Sequence, residues 1–241
     1  MPRAADQAKL FDTGTSLPSG FVYRPNFLTK TEEAELLSWF LDLPFEHSQS
    51  AEGYEAKRRV VNFGWSYDFK TRVLVPGPAL PDFLTPIARK IAKWLDIPKT
   101  HVAEALISEY EPGAAIGWHR DNESFDSVIG ISLSSWATMR IRPLESARGS
   151  FKGKPRSPKE VTSLEIEPRS AYLMQKDSRW KYQHSIPKLN ALRYSITFRT
   201  LPKNTRIPPR LLWKALQEYQ ALDDVPAPVR AQSALRAQTA W

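Results

Sequence analysis

The sequence predicts a mainly β fold, a sandwich or barrel, with helices on its N-terminal side. Seven short runs of β-forming residues, separated by turn residues, occupy positions 105–200, and such spacing is typical of β-sandwiches and barrels. Two stretches with helical periodicity precede them. With 41% apolar and 25% charged residues, the chain has the composition of an ordinary globular protein rather than of a disordered or fibrous one.

The N-terminal half predicts two strands and two helices. An apolar segment that contains a proline, at 21–27, predicts an edge strand, because proline cannot donate a ladder hydrogen bond. Thr29 and Glu32 have the spacing of a capping box and predict a helix over 31–41. Alternating apolar and aromatic residues predict a strand within 57–69, and apolar residues at helical spacing predict a second helix over 81–95.

The second half predicts the strands that carry the fold. They cover 105–110, 128–134, 138–143, 163–166, 170–174, 182–184 and 194–200. A basic segment at 148–159 predicts an exposed loop. We expect a mobile arm at 1–20, one domain at 21–200 and a proline- and alanine-rich extension at 201–241, with a short helix at 211–219.

Composition and charge exclude several classes of protein. The 241 residues include no cysteine, which excludes disulfides, thiolate zinc sites, iron–sulfur clusters and cysteine nucleophiles. No apolar run approaches the roughly 18 residues of a membrane-spanning helix, and no secretory signal is visible, so we expect a cytoplasmic protein. We also expect a monomer. The excess of 34 basic over 26 acidic residues favours a polyanionic partner such as nucleic acid.

Two of the four histidines are candidate metal ligands. His119 and Asp121 are two positions apart, and side chains at i and i+2 of an extended segment lie on the same face. His184 would complete a set of two histidines and one carboxylate, the facial triad of non-haem Fe(II) oxygenases, which leaves positions open for a cosubstrate and dioxygen. The His-x-Asp spacing alone is a weak signal, because isolated histidines are more often structural.

The segment 193–199 strengthens this interpretation. Arg193, Ser195, Thr197 and Arg199 would share one face of a strand, and the apolar residues between them would share the other. Two arginines on an inward face are costly unless anions accompany them, and guanidinium groups bind carboxylates through two parallel hydrogen bonds. The strand therefore favours a dicarboxylate cosubstrate, and the alternative is a polar face exposed to solvent.

These residues form part of a longer pattern. It contains Tyr110, Pro112, Gly113, Ile116, His119 and Asp121, then the segment 129–134, then His184 and the segment 193–199. Over about residues 100–200 the chain resembles the AlkB family of Fe(II)- and 2-oxoglutarate-dependent dioxygenases, known mainly for oxidative demethylation of alkylated nucleic-acid bases. The resemblance implies a double-stranded β-helix, or jelly roll, and Fe(II), 2-oxoglutarate and O2 as cofactors.

The resemblance also implies roles for individual residues. Three would be the iron ligands: His119, Asp121 and His184. Arg193 would pair with the distal carboxylate of 2-oxoglutarate, Tyr110 would donate its hydroxyl to the same molecule, and Arg199 would lie near the metal-proximal carboxylate and the catalytic centre. Ser195 would lie beside the cosubstrate, although family members often have asparagine there. Glu123 stands where an acidic residue can face the substrate base.

Substrate contacts are expected on the predicted strand at 57–69. A base inside a duplex must be extruded before it can be oxidised. Trp65 and Tyr67 are candidates to stack on such a base, and the alternative is that they fill the core. Lys57, Arg58 and Arg59 are candidates to contact backbone phosphates, and the alternative is a solvated basic face.

Three functions are compatible with these features. The first is an oxidative demethylase of N-alkylated bases in DNA or RNA. The second is a dioxygenase of the same family that hydroxylates a protein, a lipid or a small molecule. The third is a non-catalytic β-barrel that binds nucleic acid, for which the triad and the two arginines would be unnecessary.

Overall fold

The computed structural model describes residues 17–49, 55–68, 73–144 and 161–202. Its strands are β1 (Phe21–Arg24), β2 (Glu46–Gln49), β3 (Glu55–Asp68), β4 (Val73–Pro76), β5 (Val102–Tyr110), β6 (Ile116–His119), β7 (Val128–Leu133), β8 (Ala137–Pro143), β9 (Thr162–Ile166), β10 (Ala171–Met174), β11 (Tyr182–Ile186) and β12 (Arg193–Thr200). Its α-helices are α1 (Lys30–Phe40), α2 (Thr85–Leu95) and α3 (Lys176–Trp180), and short 3-10 turns occupy Asp82–Leu84 and Lys99–His101.

The strands form two sheets. The larger sheet has the order β1-β10-β7-β12-β5-β3-β2, with β4 paired to the far end of β3, and the smaller sheet has the order β6-β11-β8-β9. Neighbouring strands are antiparallel in both. Two antiparallel sheets of this kind form a jelly roll, so the predicted mainly β fold with supporting helices is confirmed.

The helices α1 and α2 cover one face of the larger sheet. Helix α1 begins at the predicted capping box: the Glu32 amide donates to Thr29 Oγ1 at 3.1 Å, and the Thr29 amide donates to Glu32 Oε2 at 2.8 Å. The helices and the sheet share one apolar cluster, whose members include Leu36, Phe40, Ile87, Ile91, Ile107, Ile131, Ile196 and Phe198. Because the helices bury these side chains, that face of the sheet is covered, and the smaller sheet packs on the opposite face.

Strand β3 changes partner at Gly64. Up to Gly64 it pairs with β5, and from Trp65 it pairs with β4. Gly64 has φ +84°, and a Cβ atom there would collide with the backbone carbonyl of Ala103. A side chain at this position would therefore be strained and blocked, and the glycine allows the strand to turn away from the sheet.

Within the described residues, the predicted elements are found with ends no more than four residues from those predicted. The first four residues of the segment at 21–27 form an edge strand, β1, which ends before the proline. Helix α2 starts later than predicted, because a 3-10 turn occupies its first residues and a proline stands in its first turn. Strands β2, β4 and β6 and helix α3 were not predicted, and each is short.

Parts of the predicted domain organisation lie outside the described residues. These are most of the arm, the loop at 148–159 and nearly all of the extension with its helix. At the end of the predicted arm, the carbonyls of Ser19 and Gly20 accept hydrogen bonds from the Ser178 and Gln175 amides. Among the described helices, none has the length and apolar character needed to span a bilayer.

Candidate active site

A pocket of about 420 Å³, counted together with its open mouth, lies between the two sheets. The larger sheet lines it with polar side chains from three adjacent strands: Arg58 of β3, Tyr110 of β5, and Arg193, Ser195, Thr197 and Arg199 of β12. His119, Asp121, His184 and Ile186 line it from the side of the smaller sheet. The predicted polar face of the segment 193–199 therefore points into a pocket rather than into solvent.

The predicted metal ligands meet at one end of this pocket. His119 ends β6 and lies opposite His184 of β11 in the strand register. Their imidazole centroids are 4.2 Å apart. Asp121 follows β6 by two residues, and one possible ligand atom from each of the three side chains lies within 4.8 Å of the others.

The hydrogen bonds around the cluster leave metal-binding atoms available. Asp121 Oδ1 accepts hydrogen bonds from Arg199 Nη2 at 2.6 Å and Nε at 3.0 Å. Asp121 Oδ2 is buried, lacks a hydrogen-bond partner in the described part of the chain, and lies 3.6 Å from His184 Nε2. His119 Nδ1 donates to the Gly117 carbonyl at 2.9 Å, which leaves Nε2 to bind a metal. A buried carboxylate oxygen without a partner, beside two imidazoles, fits a divalent cation.

The protonation states of His184 and Asp121 also favour metal binding. Burial, reinforced by the neighbouring His119 imidazole, lowers the pKa of His184 to about 3. Burial alone would raise the pKa of the Asp121 carboxyl, but Arg199 and the two imidazoles outweigh it and lower that pKa well below its usual range. At neutral pH His184 is therefore uncharged and Asp121 ionised, which are the forms that bind a metal.

Arg199 is held between two buried carboxylates. Its guanidinium bonds Asp121 on one side and Glu104 of β5 on the other, where Nη1 donates to Oε2 at 2.5 Å. Burial raises the pKa of Glu104, although Arg199 opposes that shift. The arginine lies beside the candidate metal ligands, and its direct contact is with one of them, Asp121.

Arg193 provides a cation at the other end of the pocket. Its side chain is 1% exposed, and Nε donates to Ser132 Oγ at 3.2 Å. Its Nη1 is buried and lacks a hydrogen-bond partner among the described residues. A buried guanidinium with a free donor fits the carboxylate of a bound ligand, because an unpaired buried charge is costly.

Tyr110 lies beside this cation. It is opposite Arg193 in the strand register, and the guanidinium carbon lies 5.2 Å from the ring centroid. Its hydroxyl accepts hydrogen bonds from Ser195 and Arg58. Burial would raise the pKa of Tyr110, but the nearby Arg58 and Arg193 guanidinium groups outweigh it and lower that pKa.

The three basic residues at 57–59 do not form one surface. Lys57 is exposed, and Arg58 lines the pocket. Arg59 donates from Nε to the buried Glu109 carboxylate at 2.7 Å. Successive side chains of a strand point to opposite faces, which is why this basic run is divided.

The other predicted substrate residues lie outside the pocket lining. Trp65 is half-buried and packs against a small cluster that includes Phe125. Tyr67 is also half-buried and lies opposite Leu74 in the pairing of β3 with β4. Glu123 is 68% exposed and bonds Arg120 at 2.7 Å.

The sequence reasoning missed Arg179 of helix α3. Its buried guanidinium donates to four backbone carbonyls of the loop after β6, those of Asp121, Asn122, Phe125 and Asp126, at 2.5–3.3 Å. Arg179 thus holds the loop that carries Asp121, the candidate metal-binding carboxylate. The sequence around this single arginine contains no pattern that would predict such a role.

We expect Arg179→Ala to lower the melting temperature of the metal-free protein by about 6–12 °C. The reason is the loss of charge-assisted hydrogen bonds that together contribute at least about 3 kcal/mol. Circular dichroism measures the change. Arg120→Ala is the matched control, because its exposed pair with Glu123 contributes less than about 1 kcal/mol. Equal melting temperatures for the two variants would contradict the role of Arg179.

Comparisons with known proteins agree with this geometry. A sequence profile of the 2OG-Fe(II) oxygenase superfamily matches residues 20–199. Uncharacterized protein L905 of Acanthamoeba polyphaga mimivirus is 25% identical over 202 residues, which cover 78% of this chain and 82% of that protein.

Two relatives have AlkB-homologue names. The N6-methyladenosine RNA demethylase ALKBH of Cryphonectria parasitica is 29% identical over 140 residues, which cover 56% of this chain and 60% of that protein. The alkylated DNA repair protein ALKBH8 homolog of Arabidopsis thaliana is 25% identical over 192 residues, with 74% and 53% covered. The chain thus matches little more than half the length of both.

Solved structures show the same fold. The structure of OsALKBH1 superposes with a TM-score of 0.59 at 14% identity and covers 77% of this chain and 99% of that one. A prolyl hydroxylase from Trichoplax adhaerens, in complex with a peptide, superposes with a TM-score of 0.52 at 14% identity, with 76% and 83% covered. The chain therefore belongs to the 2OG-Fe(II) oxygenase superfamily, whose cofactors are Fe(II), 2-oxoglutarate and O2, and two of its relatives within that comparison are AlkB homologues.

Proposed function

We propose that this dioxygenase removes alkyl groups oxidatively from N-alkylated bases in DNA or RNA. The observation that carries the proposal is a single pocket that joins the His119, Asp121 and His184 cluster to the buried guanidinium of Arg193. That arrangement fits an iron ion at one end and the far carboxylate of 2-oxoglutarate at the other. The net charge of +8 and the names of two relatives favour nucleic acid as the substrate class.

The chain's own residues position the reactants. Bound iron with 2-oxoglutarate and dioxygen supplies the oxidising chemistry. Arg193 and Tyr110 bind and orient the distal carboxylate of the cosubstrate. Arg199 fixes Asp121 through Oδ1, so that Oδ2 faces His184. Apolar lining, including Leu106, Val128 and Ile186, limits the water that reaches the reacting carbon.

The direct test is a product screen. The purified protein is incubated with Fe(II), 2-oxoglutarate and oligonucleotides that differ in methylated base, sugar and strandedness. Mass spectrometry detects the demethylated base, and succinate release reports cosubstrate turnover. We expect demethylation of at least one oligonucleotide only when iron is present. Succinate release with a peptide, lipid or small molecule, and none with any oligonucleotide, would assign the enzyme to the alternative substrate classes.

We propose that Lys57 contacts a backbone phosphate, since it is the exposed member of the run at 57–59. Lys57→Ala is then expected to reduce the slope of log K against log salt by about 0.9 for duplex DNA, the value for one phosphate contact. Fluorescence anisotropy at several salt concentrations measures the slope. Lys93→Ala, a change of the same kind on the exposed face of α2, should leave the slope unchanged. Equal slopes for all three proteins would exclude the Lys57 contact.

We propose that Trp65 stacks on a base with its exposed edge while its buried part packs near Phe125. Trp65→Ala is expected to weaken binding of single strands by about 1–3 kcal/mol, with little change in salt slope. Trp65→Phe keeps an aromatic ring and should retain most of the affinity. A Trp65→Ala variant with a lowered melting temperature and normal affinity would show that Trp65 serves only the core.

A further inference from the structure

We propose that Arg58 is a second cosubstrate-binding residue, which holds the distal carboxylate of 2-oxoglutarate together with Arg193. The proposal rests on 2-oxoglutarate as the cosubstrate and is independent of whether the substrate is a nucleic acid. The sequence led us to expect that Arg58 contacts a backbone phosphate. The proposal instead has Arg58 bind the cosubstrate inside the pocket.

The strand register places Arg58 beside Tyr110. Arg59 of β3 opposes Glu109 of β5, so the preceding residue lies next to Tyr110. Tyr110 in turn opposes Arg193 of β12. Opposed residues in antiparallel strands point to the same face. Arg58, Tyr110 and Arg193 thus form one row across three adjacent strands, and all three line the pocket.

The contacts within this row confirm that the guanidinium points inward. Arg58 donates a hydrogen bond to the Tyr110 hydroxyl, which also accepts one from Ser195. Both arginines lie close enough to Tyr110 to lower its pKa. Arg58 therefore reaches the phenol oxygen and Arg193 lies over the ring of the same tyrosine, at the same end of the pocket.

The side chains that line the pocket carry more positive than negative charge, with three arginines against one carboxylate among the described residues. Asp121 is the only carboxylate among the described residues that line the pocket, and Arg199 already binds it. Arg193 still has a buried donor without a partner. A carboxylate between Arg58 and Arg193 would neutralise their repulsion and accept from both, because a carboxylate has about four acceptor positions. The row would then select dicarboxylates over 2-oxo acids that lack the distal charge.

The test measures binding directly, without turnover. Isothermal titration calorimetry follows 2-oxoglutarate binding to the Mn(II)-loaded protein, and 2-oxobutyrate, which lacks the distal carboxylate, is titrated in parallel. We expect Arg58→Ala to weaken 2-oxoglutarate binding roughly tenfold, as for one charge-assisted hydrogen bond. The same variant should bind 2-oxobutyrate as the wild type does. Arg58→Lys keeps the charge and should recover part of the affinity.

The controls separate the possible outcomes. Arg89→Ala removes an exposed arginine from α2 and should change neither titration. Melting temperatures of the metal-free variants show whether Arg58→Ala remains folded. Unchanged 2-oxoglutarate affinity in Arg58→Ala, or an equal loss for both acids, would overturn the role of Arg58. Wild-type protein that binds neither acid would instead refute the cosubstrate site as a whole.

Discussion

Replacing His119 or His184 by alanine is expected to abolish 2-oxoglutarate turnover. The described chain brings together one cluster of three metal-ligating side chains in this pocket, and each alanine leaves only two of them. We expect Fe(II) affinity to fall by more than about 100-fold, because even changes outside the ligands themselves cost about 10- to 100-fold. Succinate release and anaerobic Fe(II) titration measure the two effects.

His47→Ala is the matched control for these variants. His47 is exposed on β2, its Nδ1 contacts the Ala56 carbonyl at 2.9 Å, and it is not among the residues that line the pocket. It should keep wild-type turnover and iron affinity. Wild-type turnover in His119→Ala or His184→Ala, in metal-limited buffer, would refute the assignment of the iron ligands.

Arg193→Ala is expected to raise the KM for 2-oxoglutarate by about 10- to 150-fold. A charge-assisted hydrogen-bonded pair contributes roughly 1.5–3 kcal/mol, and this range converts to that factor. Iron affinity should change little, because Arg193 contacts Ser132 and Tyr110 rather than the three ligands. Steady-state kinetics with varied 2-oxoglutarate, at saturating iron, measures the effect.

Arg193→Lys distinguishes charge from shape at the same position. An ammonium group cannot reproduce the planar pair of donors that a guanidinium presents to a carboxylate. We therefore expect the lysine variant to have a KM between those of the wild type and Arg193→Ala. An unchanged KM in Arg193→Ala would move the carboxylate site elsewhere in the pocket.

The fold was predictable where a pattern repeats along one strand or helix. Residues 193–199 alternate with period two, and the structure places Ile196 and Phe198 in the core and the arginines in the pocket. Strand β6 escaped prediction because it has four residues, one of them glycine, so no period is visible. Strand β4 escaped because its end coincides with a proline-rich turn.

Site residues were predictable where the residues that define them lie close together in the sequence. The two-residue spacing of His119 and Asp121 is local, whereas His184 could be added only through the longer pattern, since its partner lies on another strand. Arg58 was grouped with its basic neighbours, because sequence does not show that Tyr110 lies across from it. Arg179 bonds a loop that lies more than 50 residues earlier in the chain, so no local sequence pattern could predict this contact.

The pocket lies across the seam between the two sheets, and this has a consequence for the dynamics of the protein. The two histidines proposed to bind the metal belong to the smaller sheet, and Tyr110, Arg193 and Arg199 belong to the larger one. A metal and cosubstrate bound together would tie the sheets to each other. At 100 times the dissociation constant a ligand adds about 2.7 kcal/mol to the free energy of unfolding. Amide hydrogen exchange should therefore slow throughout β6 and β11 when Mn(II) and 2-oxoglutarate are added together, including at amides that neither ligand touches.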